Sequence, residues 1–251
     1  IVGRDVDQER IVNIWLDPNI QGNVDEDIRQ KLDQIVDDAK FGFVKVDRQP
    51  IRKREETYAY VNEKRIVGRD VDKARIVNML LDPNIHGDVP VLAIVGMGGL
   101  GKTALAQLVY SDERIQKQFD KRRYWVCVSD QDQKQFNIQA ILAKIYKAAT
   151  DESNIGDLDM NSLVRRLRDL LNQNKYLLVL DDVWTEDGIE CEKLLDILIG
   201  SCQVAKRGSR LVVTTRSKKT ATVMGCNHPY ELRGLSDENS WLLFKITSGL
   251  E

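Results

Sequence analysis

Eight consecutive residues, Gly96-Met97-Gly98-Gly99-Leu100-Gly101-Lys102-Thr103, constrain this chain more than any others. They follow an apolar run from Val91 to Val95 and lead into a helix-like stretch from Ala104 to Tyr110, so the spacing predicts strand, glycine-rich loop and helix in succession. In such a loop the backbone of Gly96, Gly98, Gly99, Leu100 and Gly101 can curl until its N–H groups converge, and the helix adds its positive amino end. That arrangement suits a polyphosphate. Lys102 is then placed to reach the β- and γ-phosphates, and the Thr103 hydroxyl to ligate Mg²⁺. By background residue frequencies the pattern arises in a chain of this length about one time in a hundred.

Two further apolar runs end in groups that such chemistry needs. Leu177-Leu178-Val179-Leu180 ends in Asp181-Asp182. Phosphoryl chemistry requires a carboxylate to hold Mg²⁺ and often a second to polarise water; Asp181 suits the first role and Asp182 the second. Arg210 to Thr215 ends in Arg216, a fixed cation that would face the γ-phosphate if this strand lies beside the one before the loop. Runs at Tyr124 to Val128 and Tyr230 to Leu232 also read as strands. Helical faces fall between them: Phe136, Ile138, Ile141, Leu142 and Ile145; Leu163, Leu167, Leu170 and Leu171; Leu194, Leu195 and Leu198. Near-continuous Val/Ile/Leu strands separated by helices indicate a parallel sheet covered on both faces, with ligands at the carboxyl ends of its strands.

The rest of the chain bounds the alternatives. A formal charge of −2 offers no basic field for nucleic acid, and no apolar run approaches the ~20 residues that span a bilayer. Cys127, Cys191, Cys202 and Cys226 lack the close pairing of a zinc or redox site and read as reduced packing residues, which fits cytosol; His86 and His228 stand in no ligand-like spacing. Residues 1–24 recur as residues 66–89 with six differences, which reads as a local duplication or a sequence-assembly accident, two copies being too few for a solenoid. Between the copies, Ile28, Leu32, Ile35 and Val36 predict an amphipathic helix over 25–40, and the charged stretch 45–65 a connector. The chain opens Ile1-Val2-Gly3 without a secretory signal, and the missing methionine predicts a fragment.

Taken together, these segments resemble the NB-ARC domains of plant nucleotide-binding, leucine-rich-repeat resistance proteins, of the coiled-coil class, a branch of the signal-transduction ATPases. The resemblance runs from about Ile66 to Phe244. It rests on Val67-Gly68-Arg69-Asp70, the glycine-rich loop, Phe119 through Trp125-Val126-Cys127-Val128-Ser129, the double-aspartate strand with Trp184, Gly208-Ser209-Arg210 through Arg216, and Tyr230-Glu231-Leu232 through Leu242-Leu243-Phe244.

The resemblance implies an α/β P-loop NTPase fold with a five-stranded parallel sheet and helices on both faces. It implies that Val67 and Arg69 line the adenine and ribose side, and that Lys102, Thr103, Asp181, Asp182 and Arg216 take the roles argued above. The organisation it suggests is a duplicated segment at 1–24, the tail of a coiled-coil domain at 25–65, a nucleotide-binding domain at 66–235, and at 236–251 the start of a truncated helical subdomain capped by Ser236. The Gly-Leu-Pro-Leu and Met-His-Asp segments of the family do not occur in these residues.

The expected function is an ATP/ADP switch with slow Mg²⁺-dependent hydrolysis in a cytoplasmic immune receptor. Its partners would be the receptor's own coiled-coil and leucine-rich-repeat regions and other receptor copies on activation. A metabolic P-loop kinase would need a substrate lid and acceptor site that are not found. A GTPase would need an Asn-Lys-x-Asp segment, which does not occur, and an interaction module without nucleotide would have no use for the intact loop.

Overall fold

The computed structural model describes residues 56–83, 90–129, 136–150, 158–173, 175–199 and 208–248. The first repeat copy and the helix expected over 25–40 lie outside the described residues, as do Cys202 and His86.

Five strands form one parallel sheet: β1 (Val91–Val95), β2 (Arg123–Cys127), β3 (Leu177–Val183), β4 (Arg210–Thr215) and the short β5 (Tyr230–Glu231), in the order β2-β3-β4-β1-β5. Each expected strand is present, with ends displaced by at most three residues. Side chains alternate across a strand, so each apolar run supplies two layers at once. Leu177, Val179, Leu92, Ile94 and Val212 face one core, whereas Leu178, Leu180, Ala93, Val95, Leu211 and Val213 face the other.

The first core is covered by α1 (Asp70–Leu81), α2 (Lys102–Tyr110) and α3 (Glu113–Phe119), which bury Ile76, Leu80, Leu105, Val109, Ile115 and Phe119. The second is covered by α4 (Ile138–Thr150), α5 (Met160–Asn172), α6 (Gly188–Leu198) and α7 (Lys218–Val223). In α5 the buried Leu163, Leu167 and Leu171 are spaced by four, the period of a helix stripe, with Arg165, Arg166 and Asp169 off that stripe. Side chains set the starts of several helices: Asp112, Asp159, Asp187 and Ser217 each accept from backbone N–H groups of the first turn. The last helix, α8 (Asp237–Ser248), follows Ser236, whose hydroxyl accepts from Asn239 N at 3.3 Å as the sequence suggests.

One buried cation ties the amino end of the sheet to α1. Arg210 at the start of β4 donates to the carbonyl oxygens of Leu80 (2.9 Å) and Asp82 (3.1 Å), satisfying groups that the end of α1 leaves open. Burial holds its pKa below the ordinary arginine value, partly offset by Asp82. On the same edge the Ser209 hydroxyl accepts from Tyr176 N, and Tyr176 donates its own hydroxyl to Leu198 O.

Candidate nucleotide site

The glycine-rich loop joins the carboxyl end of β1 to the start of α2. Register explains its position: β1 lies directly beside β4, with Val95 opposite Thr215, so the loop emerges next to the end of β4. Gly96 N donates to Thr215 O at 3.3 Å. Arg216 follows at once, and a β-carbon at Gly98 would lie 3.3 Å from its Nη1. The strand adjacency on which the reading of Arg216 depends is therefore present, with the guanidinium against the loop. Gly101, the residue before α2, has φ +87°, a left-handed conformation that costs any residue with a β-carbon roughly 1–2 kcal/mol. A β-carbon at Gly99 or Gly101 would meet no atom within 4 Å, so the loop has open space beside its backbone.

Lys102 is buried and donates from Nζ to Met97 O at 2.8 Å, spanning the loop it follows. Thr103, one residue on, points its hydroxyl at Asp181, with Oγ1 at 3.0 and 3.1 Å from the two carboxylate oxygens. Asp181 is wholly buried. It also accepts from Thr214 Oγ1 at 2.6 Å and from Thr57 Oγ1 at 2.7 Å. The same Thr214 hydroxyl accepts from Asp182 N at 2.8 Å.

The strand does not stop at these carboxylates. β3 continues to Val183, with its pairing to β4 irregular between Leu180 and Val183 and Asp182 at φ +59°. This local turn separates the two acids: Asp181 is committed to hydroxyls from three other segments, while Asp182 stands at the irregularity and keeps 8% of its surface exposed.

On the far side of the loop lies a cavity of about 660 Å³ whose lining includes Val67, Arg69, Leu100, Leu235, Leu243 and Phe244. This volume lies within the range of roughly 300–1,000 Å³ typical of small-molecule sites. Gly99 and Gly101 also border it, so the phosphate-type loop and the apolar cavity are continuous. Arg69 is buried; it pairs with Asp72 at 2.9 Å and donates to Leu100 O at 2.8 Å, while Tyr230 donates its hydroxyl to Asp72. α8 lies against the turn before α1, where a β-carbon at Gly68 (φ +69°) would stand 2.7 Å from Asn239 Nδ2.

The structure thus gathers Lys102, Thr103, Asp181, Arg216 and the loop glycines at one end of the sheet, with Val67 and Arg69 across the loop. Sequence reasoning assigns no role to Thr214, Thr57 or Asp72. Thr214 is one of three buried polar or charged residues of β4, with Arg210 and Thr215, and only its place in register beside β3 singles it out.

A five-stranded parallel sheet of this order, with a glycine-rich loop after β1 and an aspartate pair on β3, defines a P-loop NTPase fold. Solved structures of similar fold include the Aeropyrum pernix ORC1 protein in complex with DNA (TM-score 0.53, 13% identity, 73% of this chain and 50% of that one). The Aeropyrum pernix ORC2 protein in ADPNP–ADP complexes is also similar (TM-score 0.51, 15% identity, 76% and 54%).

Within that class the chain belongs to the NB-ARC family, whose domain model matches residues 69–249. It is 38% identical over 223 residues to the putative disease resistance protein RGA4 of Solanum bulbocastanum, covering 87% of this chain and 22% of the relative. It is 39% identical over 201 residues to disease resistance protein RGA2 of the same species, covering 79% and 20%. The putative disease resistance RPP13-like protein 1 of Arabidopsis thaliana is 35% identical over 198 residues, covering 78% and 18%. The chain spans about a fifth of the length of these curated relatives. Among the described residues no helix is long and apolar enough to cross a membrane.

Proposed function

We propose that this chain is the adenine-nucleotide switch of an intracellular plant disease-resistance receptor, binding ADP in one state and ATP in another. The observation that carries the reading is the continuity of two unlike spaces: a loop built for phosphates and an apolar cavity of nucleoside size share Gly99, Leu100 and Gly101. The disease-resistance relatives supply the biological setting.

In this reading Lys102 leaves the Met97 carbonyl to contact the β- and γ-phosphates, and the base enters beside Val67, with Arg69 on the ribose side. Thr103 and Asp181 would hold Mg²⁺. Their hard oxygen donors suit that ion, which usually relies on one or two carboxylates plus phosphates rather than a protein cage. Among the described residues no cluster of three His, Cys, Asp or Glu stands ready to bind a metal alone, in keeping with such a shared site. When bound, the ion neutralises phosphate charge. Asp182 polarises the attacking water, and Arg216 senses the γ-phosphate from the end of β4.

Hydrolysis here resets a signal, so slow turnover suffices. Residues 66–235 form the nucleotide-binding unit in this reading, and 236–251 open a helical subdomain. Residues 25–65 form the tail of a coiled-coil region, 1–24 are a duplicate without a site, and the leucine-rich repeats and other receptor copies are partners in the cytoplasm.

The test is to identify the nucleotide that co-purifies with the folded chain and to titrate labelled ADP, ATP and GTP with and without Mg²⁺. Bound adenine nucleotide, preferred over guanine and tightened by Mg²⁺, is the expected result. Bound guanine nucleotide, or no binding of either, would overturn it.

A further inference from the structure

The segment that precedes α1 reaches the metal edge of the site. Thr57 donates from Oγ1 to Asp181 Oδ2 at 2.7 Å, across 124 positions of sequence. Its neighbours anchor the same strap on two helices. Tyr58 offers its carbonyl to Gln107 Nε2 on α2, and Glu56 pairs with Lys144 on α4 at 2.8 Å. Glu56 is two-thirds exposed, so that ion pair contributes little. The bond to the buried carboxylate is the strong one, because hydrogen bonds to charged groups gain more than neutral ones.

A carboxylate offers about four lone-pair sites. On Asp181 they are already shared among Thr57, Thr103 and Thr214. Thr214 belongs to the sheet and also receives Asp182 N, and Thr103 is fixed at the start of α2. Of these three, Thr57 alone comes from a segment outside the sheet and its helices. A hydrated cation at Thr103 and Asp181 needs acceptors for its bound water, and the acceptor that can be released without breaking the fold is the one Thr57 uses.

We propose that the strap at residues 56–58 and a divalent cation compete for Asp181, so that filling the metal edge releases the strap. The proposal rests on the reading of Asp181 and Thr103 as the metal-holding pair. It makes the segment leading in from the amino-terminal side a reporter of the site's state: docked when Asp181 is bare, detached when the cation and its water take the Thr57 position.

The experiment uses the full chain with ADP, with MgCl₂ or EDTA, and hydrogen exchange of peptides covering residues 56–60. Exchange there should rise when Mg²⁺ replaces EDTA at saturating ADP. Thr57→Val, which keeps shape and removes the hydroxyl, should exchange fast in both conditions and lower the half-saturating Mg²⁺ concentration by about tenfold, the scale of one charge-assisted hydrogen bond. Thr57→Ser should restore wild-type behaviour.

If Mg²⁺ tightens ADP binding while strap exchange is unmoved or slowed, or if Thr57→Val needs the same or more Mg²⁺, the competition is wrong and the metal reading stands. If Mg²⁺ changes neither affinity nor exchange, the metal reading fails and the competition with it.

Discussion

Arg69 holds Leu100: its Nη2 donates to the Leu100 carbonyl oxygen at 2.8 Å while Nη1 is pinned to Asp72 at 2.9 Å. The loop is therefore braced from outside by the segment upstream of the sheet. Arg69→Ala should weaken nucleotide binding by about tenfold, the value of one buried charged hydrogen bond. Arg69→Lys should not rescue it, because a single ammonium cannot span both partners in the planar fork geometry of a guanidinium. Arg4→Ala, in the other copy of the repeat, should bind like wild type. A fluorescent-nucleotide titration of the three variants checks this, and a damaging Arg4→Ala would assign the site to the first copy.

Lys102→Ala should abolish binding at ordinary nucleotide concentrations. The charge-assisted bond that its ammonium would make to phosphate is worth roughly 1.5–3 kcal/mol, or ten- to a hundredfold in affinity. Equal affinity of variant and wild type would remove Lys102 from the site.

The two aspartates should separate in both function and stability. Asp181→Ala strips the acceptor from the buried Thr214 hydroxyl and from the half-buried Thr57 and Thr103 hydroxyls, costing about 1–3 kcal/mol, together with loss of Mg²⁺-dependent binding. Asp182→Ala should keep ATP and lose hydrolysis. Because residue 182 has φ +59°, Asp182→Gly should lose hydrolysis equally yet melt higher than Asp182→Ala. Turnover by Asp182→Gly at the wild-type rate would show that the carboxylate is not the base.

Alkaline pH should destabilise the chain in part through Cys191. Burial first, then the charges of Asp187 and Glu190, push its thiol from the ordinary 9.0 up to about 11. The folded state therefore keeps a proton that the unfolded state gives up. The associated stability is fully present below about pH 9 and is lost as pH rises through about 11. Burial raises the Tyr176 phenol in the same direction, so the comparison must be differential. Between about pH 8 and pH 10 the urea midpoint should fall further in wild type than in Cys191→Ala, which has no thiol to ionise in the unfolded state. Parallel losses would exclude Cys191.

Much of this is legible in the residues. The runs Val91–Val95 and Leu177–Leu180 announce buried parallel strands because each alternate position feeds a different core, leaving no polar face. The loop from Gly96 to Thr103 carries its chemistry in consecutive residues. What could not be read is what depends on register. Thr214 meets Asp181 only because β4 lies beside β3 with an irregular step after Leu180, and Thr57 meets it from 124 positions away. The left-handed turn at Asp182 is equally hidden, since the apolar pattern suggests a strand that ends at the acids rather than one that twists through them to Val183.

Gly68 fixes how near α8 can come to the turn that borders the cavity, because a β-carbon there would collide with the Asn239 side chain. The two positions are consequently not free to vary alone. A larger residue at 68 becomes tolerable only if 239 shrinks to alanine or glycine and the backbone strain at φ +69° is accepted, so a double substitution should recover part of the melting temperature that Gly68→Ala forfeits. The approach of α8 to the turn before α1 is in this sense encoded jointly by two residues 171 positions apart, one of which contributes by having no side chain at all.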